Sequence, residues 1–329
     1  MVSFHIRPSW FLPESAATPE NQYASRRKFL RDLGLGALGL GTASLLPSCS
    51  DPEWEHFGNK GGTLFPPDRP GFPAPRNQRF DGSSLQTTPA SIATTHNNFY
   101  EFSTDQSRVH KLTGLFEIDP WTVEISGLVN KPGHYSIQDL ETLVPLEERV
   151  YRFRCVEAWS MVLPWTGIPL GKLCEQLEVQ PAARYLRLTS FHKPDQAPGF
   201  KKMSYYPWPY YESLRLDEAM NELSLLATGI YGHPLPKQNG APIRLVVPWK
   251  YGLKNIKSIV RIEFRKTRSG TFWNALQPQE FSWLSNVDPR IPHPRWSQAT
   301  EKRIDTGEKQ KTLLYNGYGE SVQRLYRPK

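Results

Sequence analysis

Apolar and polar positions alternate in short runs along this chain. Between Trp121 and Val129, the residues Trp121, Val123 and Ile125 face one way and Thr122, Glu124 and Ser126 the other, which predicts a half-buried strand. Val150 to Val156 repeats the pattern, with Tyr151, Phe153 and Cys155 against Arg152 and Arg154. The stretch from Glu157 to Met161 breaks it, predicting a loop ahead of Trp165-Thr166-Gly167. Tyr185 to Phe191, and the β-branched runs Ile243 to Val247 and Ser258 to Phe264, predict further strands. Helical spacing occurs after Pro169, where Leu170, Leu173, Cys174 and Leu177 share one face. Ser136 with Asp139 forms a capping-box pattern ahead of Leu140 and Leu143, and Asp217 to Glu222 opens a short helix. Short strands alternating irregularly with short helices predict a mixed α+β fold. No repeat or heptad run interrupts them, and the polar, proline-rich tail from Arg265 carries aromatics expected to pack back on the body.

Composition narrows this to a globular body of many rigid loops: 329 residues, thirty prolines, ten tryptophans and 38% hydrophobic residues. No apolar run reaches the ~18–20 residues that span a bilayer. The N-terminus reads as an address. Ser25-Arg26-Arg27-Lys28-Phe29-Leu30-Arg31 fits a twin-arginine export signal, and Leu33 to Leu46 behind it is mildly apolar with four glycines. Such export moves folded proteins, which hints at a cofactor inserted in the cytoplasm. Leu46-Pro47-Ser48-Cys49 resembles a lipoprotein box, so a lipid anchor at Cys49 stands beside ordinary cleavage to a soluble periplasmic product. The chain thus divides into a removed signal region at 1–50, an extended arm at 51–95 and a body at 96–329. Residues 1–50 hold five basic and three acidic side chains, a net +2, leaving +6 of the total +8 on the mature chain. Export makes nucleic acid a poor partner for that charge and an anionic cofactor or a membrane-side protein a better one.

Of three cysteines, Cys49 belongs to the signal boundary and Cys174 to a helix core face, which leaves Cys155 without a disulfide partner. Cys155 stands at a strand end beside arginines, where it reads equally as a buried core thiol or a low-pKa thiolate. No second cysteine or histidine has zinc-ligand spacing. A cysteine–histidine hydrolase remains open, with His96, His110 and His192 available. Two loops complete the candidate chemistry. Gln238 to Arg244 is a turn running into a strand, and Pro248 to Lys257 joins two strands. Arg244, Lys250, Lys254 and Lys257 lie close enough in sequence to form an anion-binding cluster.

Three stretches carry a family likeness: Asn97-Asn98-Phe99-Tyr100-Glu101-Phe102, Arg154-Cys155-Val156-Glu157-Ala158-Trp159-Ser160, and Gln238 through Gly252. In that order they resemble the catalytic subunits of periplasmic protein-methionine-sulfoxide reductases, molybdopterin enzymes of the sulfite-oxidase fold family. The likeness runs from about Asn97 to Trp296. It implies a single strand-rich molybdopterin-binding domain, with Cys155 as the protein thiolate on molybdenum and the pterin dithiolene supplying further sulfur. It assigns Asn97, Tyr100, Glu101, Asn239, Arg244, Asn255, Ile256 and Lys257 to the cofactor. Ser190 joins them where the family commonly has threonine. Asn98 and Glu157 face the metal, and Trp296 walls the substrate pocket. The implied reaction removes the sulfoxide oxygen of oxidised methionine in exported proteins, with electrons from a membrane-embedded, haem-binding partner and a monomeric catalytic subunit. A sulfite-oxidase-like enzyme is the nearest alternative, and an exported binding protein without cofactor a second.

Overall fold

The computed structural model describes residues 64–327, so the twin-arginine stretch and Cys49 lie outside the described residues. Two sheets carry the body. The first orders its five strands β2-β1-β10-β5-β6, from β1 (Thr122–Gly127), β2 (Gly133–Ser136), β5 (Tyr185–Ser190), β6 (Tyr211–Arg215) and β10 (Ile259–Arg265). Only the β1–β10 pair is parallel, and the other pairs of this sheet are antiparallel. The second sheet centres on the long strand β4 (Trp159–Pro169), flanked by β3 (Glu147–Arg154), β7 (Leu225–Ile230) and β11 (Thr300–Arg303). Outer partners are β8 (His233–Pro234), β9 (Arg244–Val246) and β12 (Lys309–Lys311). One buried apolar cluster takes residues from both sheets, among them Val123, Ile262, Trp165 and Leu226. The fold is mixed α+β, and no helix among the described residues is long and apolar enough to cross a membrane.

Local sequence explains most of these elements. β1 buries Val123 and Ile125 and leaves Thr122 exposed, as its alternation requires. Among the helices are α1 (Ala90–Ala93), α2 (Ile137–Leu143) and α3 (Leu170–Gln176). In α2 the Ser136 hydroxyl accepts from the Asp139 N–H at 3.1 Å, and the Asp139 carboxylate accepts from the Ser136 N–H at 2.8 Å, a complete capping box. Pro169 precedes α3, which buries Leu170, Leu173 and Cys174. Cys174 is a core thiol.

Three sequence expectations need correction. The stretch after Cys155 is not a long loop. Strand β4 begins at Trp159, so residues 155–158 form a four-residue hairpin turn between β3 and β4. β3 does not alternate cleanly either, because Arg154 is fully buried. The polar tail does more than pack aromatics: it supplies β11, parallel to β4, and the β12 edge. Alternation reads one face against water, and β4 is covered on both faces and along both edges.

Helix α4 (Gly199–Lys202) ties this frame to the segment around Tyr100. The Gly199 N–H donates to the Glu101 carbonyl at 2.8 Å, and a Cβ on Gly199 would lie 2.0 Å from the Tyr100 oxygen. Gly199→Ala is expected to lower unfolding free energy by about 2 kcal/mol through overpacking, read as a drop in the urea midpoint at unchanged slope.

Candidate active site

The hairpin turn builds the centre of the site. The Cys155 N–H donates to the Trp159 carbonyl at 2.9 Å, and Ala158 adopts φ 64°, which closes the turn. Two donors then converge on the Cys155 sulfur: the Asn98 side-chain amide at 3.3 Å and the Glu157 N–H at 3.4 Å. N–H groups aimed at sulfur suit a thiolate, whereas burial and the nearby Glu157 carboxylate push the free thiol pKa well up. The geometry favours the anion and the solvation opposes it, so a cation bound at the sulfur reconciles the two. Arg154 does not activate the thiol as a neighbouring free charge. Its guanidinium is spent on the Glu301 carboxylate at 2.8 Å, the Gln298 side chain at 2.7 Å, the Thr312 hydroxyl at 3.2 Å and the Cys155 carbonyl.

Cys155 stands at a cavity of about 330 Å³. Of the residues assigned to the site from sequence, Asn97, Asn98, Tyr100, Glu101, Cys155, Glu157, Asn239, Arg244, Asn255, Ile256, Lys257 and Trp296 all line it. They come from positions up to about two hundred residues apart, gathered from the loop after α1, the hairpin turn, β9 with the segments on either side of it, and the tail at Trp296. Ser190 is outside the lining. Its hydroxyl donates to the Lys257 carbonyl at 2.7 Å, so it holds the Lys257 loop from behind. Asn255 also spends its side chain structurally, accepting from the Val247 N–H at 2.6 Å.

The polar atoms left without partners define what fits. Asn97 and Asn239 both donate their amide to the Ala93 carbonyl, at 3.1 and 3.0 Å, and their carbonyl oxygens are buried and unsatisfied. Arg244 is 3% exposed, donates only to the Asn239 and Asn255 carbonyls at 2.8 and 3.2 Å, and keeps Nε without a partner. No carboxylate pairs with Arg244 among the described residues, and burial alone brings its pKa down to about 9. An unpaired buried guanidinium is costly unless an anion arrives. Lys257 extends from the same side, donating to the Asn98 carbonyl at 2.6 Å, and burial pulls its pKa down. The donor set therefore suits a ligand that offers hydrogen-bond donors to two asparagine carbonyls, an anionic end to Arg244 and a soft metal to one thiolate. A phosphate-bearing pterin with molybdenum has those three properties.

The expected four-cation cluster is only half right. Lys250 and Lys254 are fully buried and pair with Glu218 and Glu212, each at 2.6 Å, leaving Arg244 and Lys257 at the cavity. Two contributors escaped the sequence reading. Gln106 donates to Glu157 Oε2 at 2.9 Å, and Trp159 Nε1 reaches the same oxygen at 3.2 Å. With Asn98 Nδ2 at 3.2 Å, three N–H donors hold that one oxygen. His96 lines the cavity edge-on to Trp159, while His110 and His192 do not line it, so no histidine lies against the thiol as a hydrolase base.

Comparison with known proteins agrees with this construction. Residues 110–273 match the oxidoreductase molybdopterin-binding domain family. The chain is 44% identical over 327 residues to the protein-methionine-sulfoxide reductase catalytic subunit MsrP of Xanthomonas axonopodis pv. citri, covering 98% of this chain and 97% of that one. Against the MsrP of Burkholderia mallei identity is also 44%, over 96% and 93% of the two chains. The sulfane dehydrogenase SoxCD of Paracoccus pantotrophus is a more distant likeness, with 18% identity and a TM-score of 0.42 over 76% of this chain and 60% of that one.

Two measurements check the geometry. Glu301→Gln leaves the Arg154 charge buried without its carboxylate, so it is expected to cost about 3 kcal/mol or more, read by chemical unfolding. Burial pushes the Glu101 pKa from 4.5 up to about 7, so the stability it contributes is fully present below its unfolded pKa and lost as pH rises through about 7. The lowered Lys257 pKa acts with the opposite sign, raising stability as pH climbs past about 7, so the window below that belongs to Glu101. The metal-free protein is expected to lose stability as pH rises from about 5 to 6.5, and Glu101→Gln to flatten that slope in thermal unfolding.

Proposed function

Because the chain belongs to the family of protein-methionine-sulfoxide reductase catalytic subunits, with a molybdopterin-binding oxidoreductase domain, we propose that it repairs oxidised methionine in exported proteins in the periplasm. The observation that carries the reading is the Cys155 sulfur, held by two N–H donors in one cavity with the unpaired Arg244 guanidinium. Bound there, a molybdenum-pyranopterin supplies two-electron oxygen-atom transfer, removing the sulfoxide oxygen that ends, with two protons, as water.

The chain's own residues hold and position. Cys155 would provide the protein thiolate that holds the metal. Arg244, with Lys257 beside it, takes the phosphate end, and the Asn97 and Asn239 carbonyls take pterin N–H groups. Ser190 supports the same group indirectly, by fixing the Lys257 carbonyl, while Ile256 closes the floor and Asn255 fixes the β9 end. Glu101 is buried beside Lys257, and Tyr100 packs edge-on against Trp273 at 5.1 Å. Asn98 links the sulfur to Glu157, and Glu157 is held by one oxygen so that it stands oriented beside the sulfur. Trp296 and Gln298 both donate to the Val156 carbonyl, at 2.8 and 2.7 Å, and so brace the turn from the tail side.

Electrons come from a membrane-embedded, haem-binding partner subunit, a reading supported by the relatives' designation as catalytic subunits. Twin-arginine export of the loaded, monomeric protein, either soluble or anchored by lipid at Cys49, accounts for the Ser25–Arg31 stretch.

Metal analysis and assay test this together. Protein from a host that makes the cofactor is expected to hold one molybdenum per chain and to reduce a methionine-sulfoxide peptide with reduced viologen. Cys155→Ser is expected to lose the metal and at least a thousandfold in rate with its circular dichroism unchanged. Wild type that oxidises sulfite but leaves the sulfoxide intact would overturn the reading.

A further inference from the structure

A connected series of aromatic rings runs along the cavity. Tyr206, Trp273, Phe281 and Trp296 line it, and ring contacts through His293 connect them without a gap. Centroid separations are 5.9 Å from Tyr206 to Trp273, 5.2 Å on to Phe281, 5.6 Å to His293 and 3.8 Å to Trp296. The series extends outward by one ring. Tyr205 packs edge-on against Tyr206 at 4.8 Å and is 75% exposed, the highest value among the exposed large hydrophobic side chains of the described residues.

Charge does not dominate this opening. Arg295 lies over Trp296 at 4.8 Å, but its guanidinium pairs with Glu280 at 2.8 Å. The Arg295 charge beside Trp296 is therefore compensated. A single exposed tyrosine needs no explanation. A tyrosine that continues the aromatic wall of the reaction cavity onto the surface is different, because a chain laid beside the cavity can rest on it.

Chain geometry says what passes. A methionine sulfur stands only about 4 Å from its own Cα, so a polypeptide brings its sulfoxide inside only by laying its backbone across the mouth. The residues on either side of the methionine then press against the lip. We propose that Tyr205, with Tyr206 and Trp273, forms a docking lip for the polypeptide carrying the oxidised methionine, and that Tyr205 grips an apolar side chain next to it. The inference rests on the sulfoxide-reductase reading and adds to it the part of the substrate that is recognised. Tyr205 suits the role as a large, rigid ring with few rotors to order on contact.

The test compares three substrates on the loaded full-length enzyme: free methionine sulfoxide, a peptide with leucine on both sides of the sulfoxide, and the same peptide with glycine there. Tyr205 does not line the cavity, so Tyr205→Ala is expected to leave the kinetics of the free amino acid unchanged. It is expected to raise KM for the leucine-flanked peptide about five-fold at unchanged kcat, with a smaller effect on the glycine-flanked one. Tyr205→Phe is expected to restore most of the loss. Fluorescence anisotropy of the labelled leucine-flanked peptide on the same proteins reads the affinity directly, without turnover. Equal changes on all three substrates, or none on any, overturn the lip while leaving the reductase reading intact. Wild type that binds the peptide through Tyr205 yet reduces no sulfoxide overturns the reductase reading and keeps the lip.

Discussion

The buried guanidinium of Arg154 holds together the part of this protein on which the chemistry depends. It lies immediately before Cys155 and donates to that residue's carbonyl, while its other N–H groups reach Glu301, Gln298 and Thr312. The hairpin turn from Cys155 to Ala158 is thereby clamped to a segment that enters about one hundred and forty residues later. Trp296 and Gln298 complete the clamp from the same segment by sharing the Val156 carbonyl. A charge removed from water this completely is tolerable only when every partner is present, so the clamp forms as a unit or not at all.

With the turn fixed, the cavity is a set of satisfied and unsatisfied groups in deliberate contrast. Glu157 has one oxygen held by three N–H donors, and Lys250 and Lys254 are paired off with glutamates in the interior. Against that background, the Arg244 Nε and the Asn97 and Asn239 side-chain carbonyls are conspicuous for lacking partners. Buried polar groups without partners are rare in folded proteins, and here they face one cavity together with a sulfur that two N–H groups address. Binding of a large anionic cofactor would satisfy these groups at once. The same reasoning accounts for a thiol that burial keeps protonated when no metal is present.

Much of this was legible beforehand, and each success has a local cause. Capping of α2 by Ser136 and Asp139, the buried face of α3 and the alternation of β1 all depend on neighbours within a few residues. The site residues were legible through three contiguous stretches that resemble a known family, and twelve of the residues they and the tail suggested line one cavity. Ser190 was found one layer behind it. Gln106 carried no signal, because a glutamine in a polar stretch looks like any solvated residue until the chain folds it onto Glu157. Lys250 and Lys254 misled for the converse reason: their carboxylates lie about thirty to forty residues away in sequence, and only packing brings them together.

From sequence alone followed the class of fold, the separation of Cys174 from Cys155 and the chemistry class carried by the family likeness. These rest on periodicity, residue chemistry and contiguous motifs, all of which survive in one dimension. Tertiary structure alone decided that Cys155 sits in a four-residue turn rather than at the head of a long loop, that the tail is part of the active-site scaffold, and that two of four cations face the cavity. Each of those is a matter of which distant groups share a low-dielectric interior, where an unpaired charge or donor is expensive. That pairing is set by three-dimensional proximity, to which the order of residues gives no direct measure.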